Sequence, residues 1–472
     1  MTATLTERAT RGPVATPRRA PRLAWGPVLA VAAAFVAVEL GLAARYGYHR
    51  DELYFLACAR HLAWGYVDQP PLVPFVVRIS VALFGSSVVA LRVAPALAAG
   101  HLVATATFEL LLWSLITWIG LRLLRGADPR WWLALGVVTG VALLNKYNVV
   151  FLVAALAVGV VATGRGRLLR GRWPALGAAL ALLIVAPNVI WNAAHGWPAI
   201  AMLRSLHAEN STLGASIGFA PAQLLFVGPF LAPLWLGGLA TLWRDARARV
   251  FPVAYGTLVV AYVLTGAKPY YLAGIYFVLL AAGGVWVDRW IAARARRHAR
   301  DVAIWLVAGA VLGAALTLPV LPVAALPRSS WESKINKDLS ATVGWPQFVR
   351  QVAAVRSRLP ASARPGLVVL TGDYGAAGAI DEFGARYGLP HAISGHNNYW
   401  LWGPGAARNG ATTIAVNLPR SLLTRLFATV RSAGTVHTPH DVWTEERGAP
   451  IWICQYQRVT WAAAWSDLRH YG

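Results

Sequence analysis

Nine apolar runs of spanning or near-spanning length divide this chain. They lie near 24–45, 105–124, 131–145, 147–163, 174–191, 219–242, 251–266, 269–288 and 302–325. A helix that crosses a bilayer needs about 20 mostly apolar residues, with some tolerance for tilt. Runs of this length leave few alternatives to a polytopic membrane bundle. Composition agrees. Of the 472 residues, 57% are hydrophobic and only 13% are charged, whereas a soluble domain averages about 25% charged.

The net charge of +23 would suit nucleic acid if it were concentrated on one domain. Instead the arginines punctuate the apolar runs, as the positive-inside rule requires, so no nucleic-acid partner is expected. Residues 1–23 carry Arg8, Arg11, Arg18, Arg19 and Arg22 and read as a cytoplasmic tail. The run at 24–45 is too long for a signal-peptide core and reads as a retained first span. Starting from a cytoplasmic N-terminus and alternating, short cytoplasmic segments collect 20 arginines. Short outer segments collect seven cations: Arg50, Arg60, Arg78, Arg92, Lys146, Arg204 and Lys268. Everything after about 328 then faces outside. Residues 71–104 hold two apolar stretches too short to be clear spans. They read as half-inserted helices at the outer surface, with an ordinary hairpin as the alternative.

Residues 328–472 lose the long apolar runs. Strands are expected at 366–371, 391–393, 411–417 and 451–456, and helices at 376–387 and 420–432. This alternation describes a small α/β domain. Gly372, Gly375 and Gly378 suit either ordinary turn chemistry or a phosphate-binding turn. Ser394–Gly403 gathers His396, Asn397, Asn398, Tyr399, Trp400 and Trp402. Such a set suits sugar contact, with His396 and Trp400 as binding residues, or else packing onto the membrane domain. Cys58 and Cys454 do not make a disulfide framework and read as isolated thiols.

Charge placed straight after the first span is the strongest chemical signal. Tyr48-His49-Arg50-Asp51-Glu52-Leu53-Tyr54 is followed by Asp68-Gln69-Pro70-Pro71-Leu72. A carboxylate in a partly dry cavity can take a proton from an acceptor as that atom attacks a sugar carbon. A lipid phosphate is a suitable leaving group if a cation stabilises its charge. Lys268, followed by Pro269-Tyr270-Tyr271, suits that role or that of a snorkelling lysine in an aromatic belt. Arg50 and Arg92 suit contact with a phosphate or pairing with Asp51 and Glu52. Glu109 opens a span, where the helix dipole alone would favour it. His49, His61, His195 and His207 have no helical ligand spacing, and no metal site is expected. Trp191, Trp197, Trp235 and Trp243 read as interface anchors.

These motifs resemble glycosyltransferase family 39 in its bacterial form, the protein O-mannosyltransferases and aminoarabinose transferases. Asp-Glu-x-Tyr after a first span and Pro-Pro-Leu about twenty residues on carry the resemblance. Asn145-Lys146-Tyr147 and Lys268-Pro-Tyr-Tyr-Leu add to it. The resemblance implies a mainly α, C-type (GT-C) transmembrane helical bundle in the plasma membrane, spanning 24–327. An extracytoplasmic α/β domain at 328–472 completes it. It also implies inverting transfer from a polyprenyl-phosphate sugar to a protein, lipid or glycan acceptor outside. Asp51, Glu52 and Glu109 match catalytic positions. Lys268, Tyr54, Arg50, Arg92, Tyr270, Tyr271, Gln69, His396 and Trp400 are the expected substrate contacts. No cofactor is required, and a divalent cation is left open. One departure stands out. Family members place two spans between the segments matching 93–100 and 101–109, and about forty residues are missing here. A lipid-linked-sugar carrier or a degenerate member is therefore the alternative reading.

Overall fold

Glycines at helix crossings decide how the apolar segments pack. In this computed structural model, which describes residues 24–98, 100–210, 213–294, 297–329 and 337–472, fourteen helices precede the sheet-bearing tail. The expected cytoplasmic tail 1–23 and the side chain of His207 lie outside the described residues. The helices α6 (Trp131–Asn145) and α8 (Arg172–Ala194) meet where Gly136 faces Gly177 and Gly140 faces Ile184. A Cβ on any of these glycines would collide with the neighbouring helix. The helices α11 (Ala232–Arg244) and α13 (Tyr276–Ala292) meet in the same way, through Gly237, Gly238 and Gly283. Between apolar helices in lipid, close van der Waals approach is the main attraction, which is what small residues allow.

Among the described residues, five segments are long and apolar enough to cross a membrane. They are α1 (Trp25–Leu42), α5 (Thr105–Leu124), α8, the stretch Pro269–Ala292 and α14 (Arg297–Thr317). The expected single span at 219–242 is instead two helices, α10 (Leu213–Val227) and α11, bent by 88°. Gly228, at φ 89°, and Pro229 cause the break. Proline removes a backbone donor and bars the residue before it from helical geometry. The expected run at 302–325 stops being helical at Thr317, ahead of Pro319 and Pro322. The helices α6, α7 (Val149–Ala162) and α12 (Val250–Thr265) are 14 to 16 residues long. At 1.5 Å per residue they reach only about 21–24 Å. The ambiguous stretch forms α3 (Leu72–Phe84) and α4 (Val88–Leu97), about 20 and 15 Å long, each too short to cross. Seven residues, 98–104, join α4 directly to α5.

Trp235 is buried against Tyr255 and Tyr276, which corrects its reading as an interface anchor. Trp197 and Trp243 are exposed. Cys58 and Cys454 are both free and buried.

The tail contains α15 (Lys337–Ser340), α16 (Trp345–Arg358), α17 (Tyr374–Phe383), α18 (Asn397–Trp402), α19 (Arg420–Leu426) and α20 (Trp461–Leu468). Its strands are β1 (Val368–Thr371), β2 (Ala392–Ser394), β3 (Thr413–Val416), β4 (Phe427–Thr435) and β5 (Pro450–Gln457). They form one sheet in the order β2-β1-β3-β5-β4. β2, β1 and β3 run parallel, while β5 is antiparallel to both β3 and β4. The expected helix at 420–432 ends at Leu426, and the chain continues as β4. Pairing along β5, from Phe427 opposite Gln457 to Thr435 opposite Pro450, outweighs the local helical pattern.

The tail and the membrane helices share one core. α17 lies directly on α2 (Arg50–Arg60). Gly375 comes beside the Cβ of Arg50, and Gly378 lies against the Leu53 backbone. The three glycines first read as turn residues thus include two that permit this close contact.

Candidate active site

The first turn of α2 carries both adjacent carboxylates, and the fold treats them differently. His49 is the N-cap. Its Nδ1 accepts from the Asp51 backbone N–H at 3.2 Å, and its own N–H donates to Glu52 Oε2 at 2.8 Å. This reciprocal capping satisfies two of the donors that a helix start leaves open.

Glu52 points inward. Arg92 donates to it through Nε at 2.9 Å and Nη2 at 2.7 Å, and the Val103 N–H adds a bond at 3.1 Å. Arg92 also donates to the carbonyls of Ala43 (2.6 Å) and Gly47 (3.0 Å). Both side chains are buried. They tie the end of α1, the start of α2, α4 and the 98–104 connector together and face no open space.

Asp51 points the other way. Its side chain is 37% exposed, and Oδ1 accepts from the Tyr374 hydroxyl at 2.8 Å. Tyr374 opens α17, so the contact spans 323 positions of sequence. Burial, reinforced by the Asp51 charge, pushes the Tyr374 phenol well up, which keeps it a proton donor. The Tyr374 ring packs 4.7 Å from Tyr54 and 4.7 Å from His396, and the Arg50 guanidinium lies 5.0 Å from its centroid. Arg50 pairs with Glu445 and reaches Asp373 Oδ1 at 4.0 Å. Glu446 is buried beside this group. Loss of solvent and the nearby Asp373 charge push its carboxyl up to about 7, against the opposing pull of Arg50.

Tyr54 donates to Asp68 Oδ1 at 2.7 Å. Enclosure pushes the Asp68 carboxyl up to about 6, although that hydrogen bond favours its charge. Gln69 is buried, and neither atom of its amide has a partner among the described residues. His396 Nδ1 accepts from the Tyr374 N–H at 3.4 Å, and Nε2 meets the Gly472 carbonyl at 3.0 Å. Burial and His470 lower its pKa to about 4, so at neutral pH it offers hydrogen bonds and no charge.

A second polar group lies among the helices. Glu109 accepts from Lys146 Nζ at 3.0 Å and from Asn148 Nδ2 at 2.6 Å. Tyr262 donates to Asn148 Oδ1 at 2.6 Å. The Lys146 ammonium lies 4.3 Å from the Tyr271 ring centroid and 5.1 Å from that of Tyr270. Lys268 is half-buried at the start of the Pro269–Ile275 turn, where its carbonyl accepts from the Tyr271 N–H.

The expected residues therefore divide. Asp51, Arg50, Tyr54 and His396 meet at the junction with the tail. Glu109, Tyr270 and Tyr271 meet around Lys146. Glu52 and Arg92 form a separate buried pair. Trp400 lies apart, exchanging hydrogen bonds with Trp465 (2.9 and 2.8 Å) beneath Arg469. Sequence reasoning did not single out Tyr374, Asp373 or Glu446, and no local motif marks them. Lys146 was legible only as part of a motif. Glu39, the one acid in the first span, bonds His101 at 2.6 Å.

Residues 98–191 match the family model described as dolichyl-phosphate-mannose-protein mannosyltransferase. No curated protein matches the chain. Among solved structures, ArnT from Cupriavidus metallidurans, crystallised bound to undecaprenyl phosphate, is similar in fold. Its TM-score is 0.54 at 16% identity, over 91% of this chain and 98% of that one. The matched segment covers α5 to α8, while the structural likeness extends over membrane helices and tail alike. Together they bear out the likeness read from the motifs: a chain with the GT-C fold of ArnT and a segment of the mannosyltransferase type.

Proposed function

We propose that this protein is a membrane glycosyltransferase that moves a sugar from a polyprenyl-phosphate donor to an acceptor on the extracytoplasmic side, with inversion. The carrying observation is Asp51: a partly open carboxylate beside a buried cluster, with one oxygen tied and the other available. The nearest ionisable neighbour of Oδ2 is His49 Nδ1 at 3.8 Å, whose lone pair already accepts the Asp51 N–H. Oδ2 takes the proton from the acceptor hydroxyl or amine as that atom bonds to the anomeric carbon. The bond from that carbon to the phosphate oxygen breaks, and polyprenyl phosphate leaves. Lys146 and Lys268 supply positive charge for it, with the tyrosines of the 269–275 turn alongside. Glu109 orients Lys146. Glu52 and Arg92 serve the fold. The family-model match and the fold shared with ArnT, whose crystals hold undecaprenyl phosphate, support the donor class. In this reading 24–327 spans the membrane, and 328–472 lies on the outer side.

The seven-residue connector 98–104 favours one second reading, a carrier that binds the lipid without chemistry. The deciding experiment is sugar transfer by purified protein from a panel of undecaprenyl-phosphate-linked sugars, beside Asp51→Asn. Turnover by wild type and its loss in Asp51→Asn, with undecaprenyl phosphate still bound, is the expected result. Binding without turnover by wild type would leave the carrier.

A further inference from the structure

We propose that Tyr374, contributed by the C-terminal domain, is a positioning residue of the transfer reaction: its hydroxyl holds Oδ1 of Asp51 so that Oδ2 faces the acceptor. This inference rests on the glycosyltransferase reading above.

The geometry carries it. A carboxylate on a short side chain can rotate about its terminal torsion, and that torsion is broad. A base must present one oxygen within about 3 Å of the proton it removes. Among the described residues, Asp51 has one hydrogen bond from a side chain, the 2.8 Å bond from Tyr374. The Tyr374 side chain is packed on several sides. Tyr54 and His396 pack against its ring, Arg50 lies alongside, and the Asp373 carboxylate caps its helix by accepting from the Ala376 N–H at 2.8 Å. That helix is seated on α2 through Gly375 and Gly378, so donor and acceptor ride on two helices in direct contact. The Asp51 side chain nevertheless remains 37% exposed. A contact that only shut the site would cover it.

Tyr374→Phe removes the hydroxyl and keeps the ring. The test compares kcat and KM for undecaprenyl-phosphate-linked sugar in wild type, Tyr374→Phe, Asp51→Asn and the double variant, with a melting curve for each. The expected result for Tyr374→Phe is a fall in kcat of about ten- to a hundredfold, with donor KM and melting temperature held. Because the tyrosine acts through Asp51, the double variant should be no slower than Asp51→Asn alone. A merely structural tyrosine would lower that residual rate further. Unchanged kcat in Tyr374→Phe, with transfer cut to a small residual rate in Asp51→Asn, overturns this inference and leaves the proposed function standing. A raised kcat overturns it too, and makes the contact inhibitory. Absence of transfer by wild type removes both.

Discussion

Arg92 grips both carboxylate oxygens of Glu52, at 2.9 and 2.7 Å, in a pair with almost no solvent contact. Removing one partner strands a buried charge. Arg92→Ala should destabilise the fold by about 3–5 kcal/mol, read by thermal or denaturant unfolding in detergent. Any fraction that remains folded should bind undecaprenyl phosphate as wild type does, because the guanidinium faces protein on every side. A selective loss of lipid binding at unchanged stability would contradict this placement.

Lys146 should behave in the opposite way. Its ammonium sits between Glu109 and two tyrosine rings at the proposed leaving-group site. Lys146→Met should weaken undecaprenyl phosphate binding about tenfold or more, in line with the roughly 1.5–3 kcal/mol of a hydrogen bond to a charged group. Equilibrium binding in nanodiscs measures it, and unchanged affinity would leave Lys268 as the phosphate's cation.

Glu446 sets a pH dependence. Its carboxyl titrates near 7 in the fold and near 4.5 in the unfolded chain. Between those values the folded state binds the extra proton, so this group costs stability as pH rises through the window and adds no further slope above it. Glu446→Gln keeps a neutral side chain throughout. Relative to wild type it should gain melting temperature from pH 5 to pH 7.5, with little difference at the acid end. A constant offset across that range would remove the assignment.

Gly378→Ala tests the seat of α17 on α2. The added Cβ would lie 2.8 Å from the carbonyl carbon and oxygen of Leu53, which are backbone atoms and cannot swing aside. Overpacking of this kind costs about 1–3 kcal/mol. Limited proteolysis should release the tail more readily, and transfer should fall as Tyr374 moves away from Asp51.

The membrane helices and the Asp51 motif were legible because both are local: apolar length and a string of charges survive any tertiary context. The break at Gly228 was written in a Gly-Pro pair but was hidden inside a continuous apolar run. β4 was missed because 420–432 has an acceptable helical pattern and only the edge of β5 makes it a strand. Glu52 and Arg92 were grouped with Asp51 because sequence does not sort nearby charges by direction. The first turn of a helix sends Asp51 and Glu52 about 100° apart. Tyr374 follows an unremarkable Gly-Asp, and nothing within 300 residues of it in sequence announces its partner.

That separation has a consequence in time. Asp51 and Arg50 are made early, while Tyr374, Asp373 and Glu445 emerge more than 320 residues later. At the ribosome, the membrane helices can insert while the proposed site is still two bare side chains at the start of α2. The centre closes only when α17 has been synthesised and laid onto that helix. A chain stalled or truncated before residue 374 would therefore carry Asp51 and Arg50 without the tail residues that complete the proposed site.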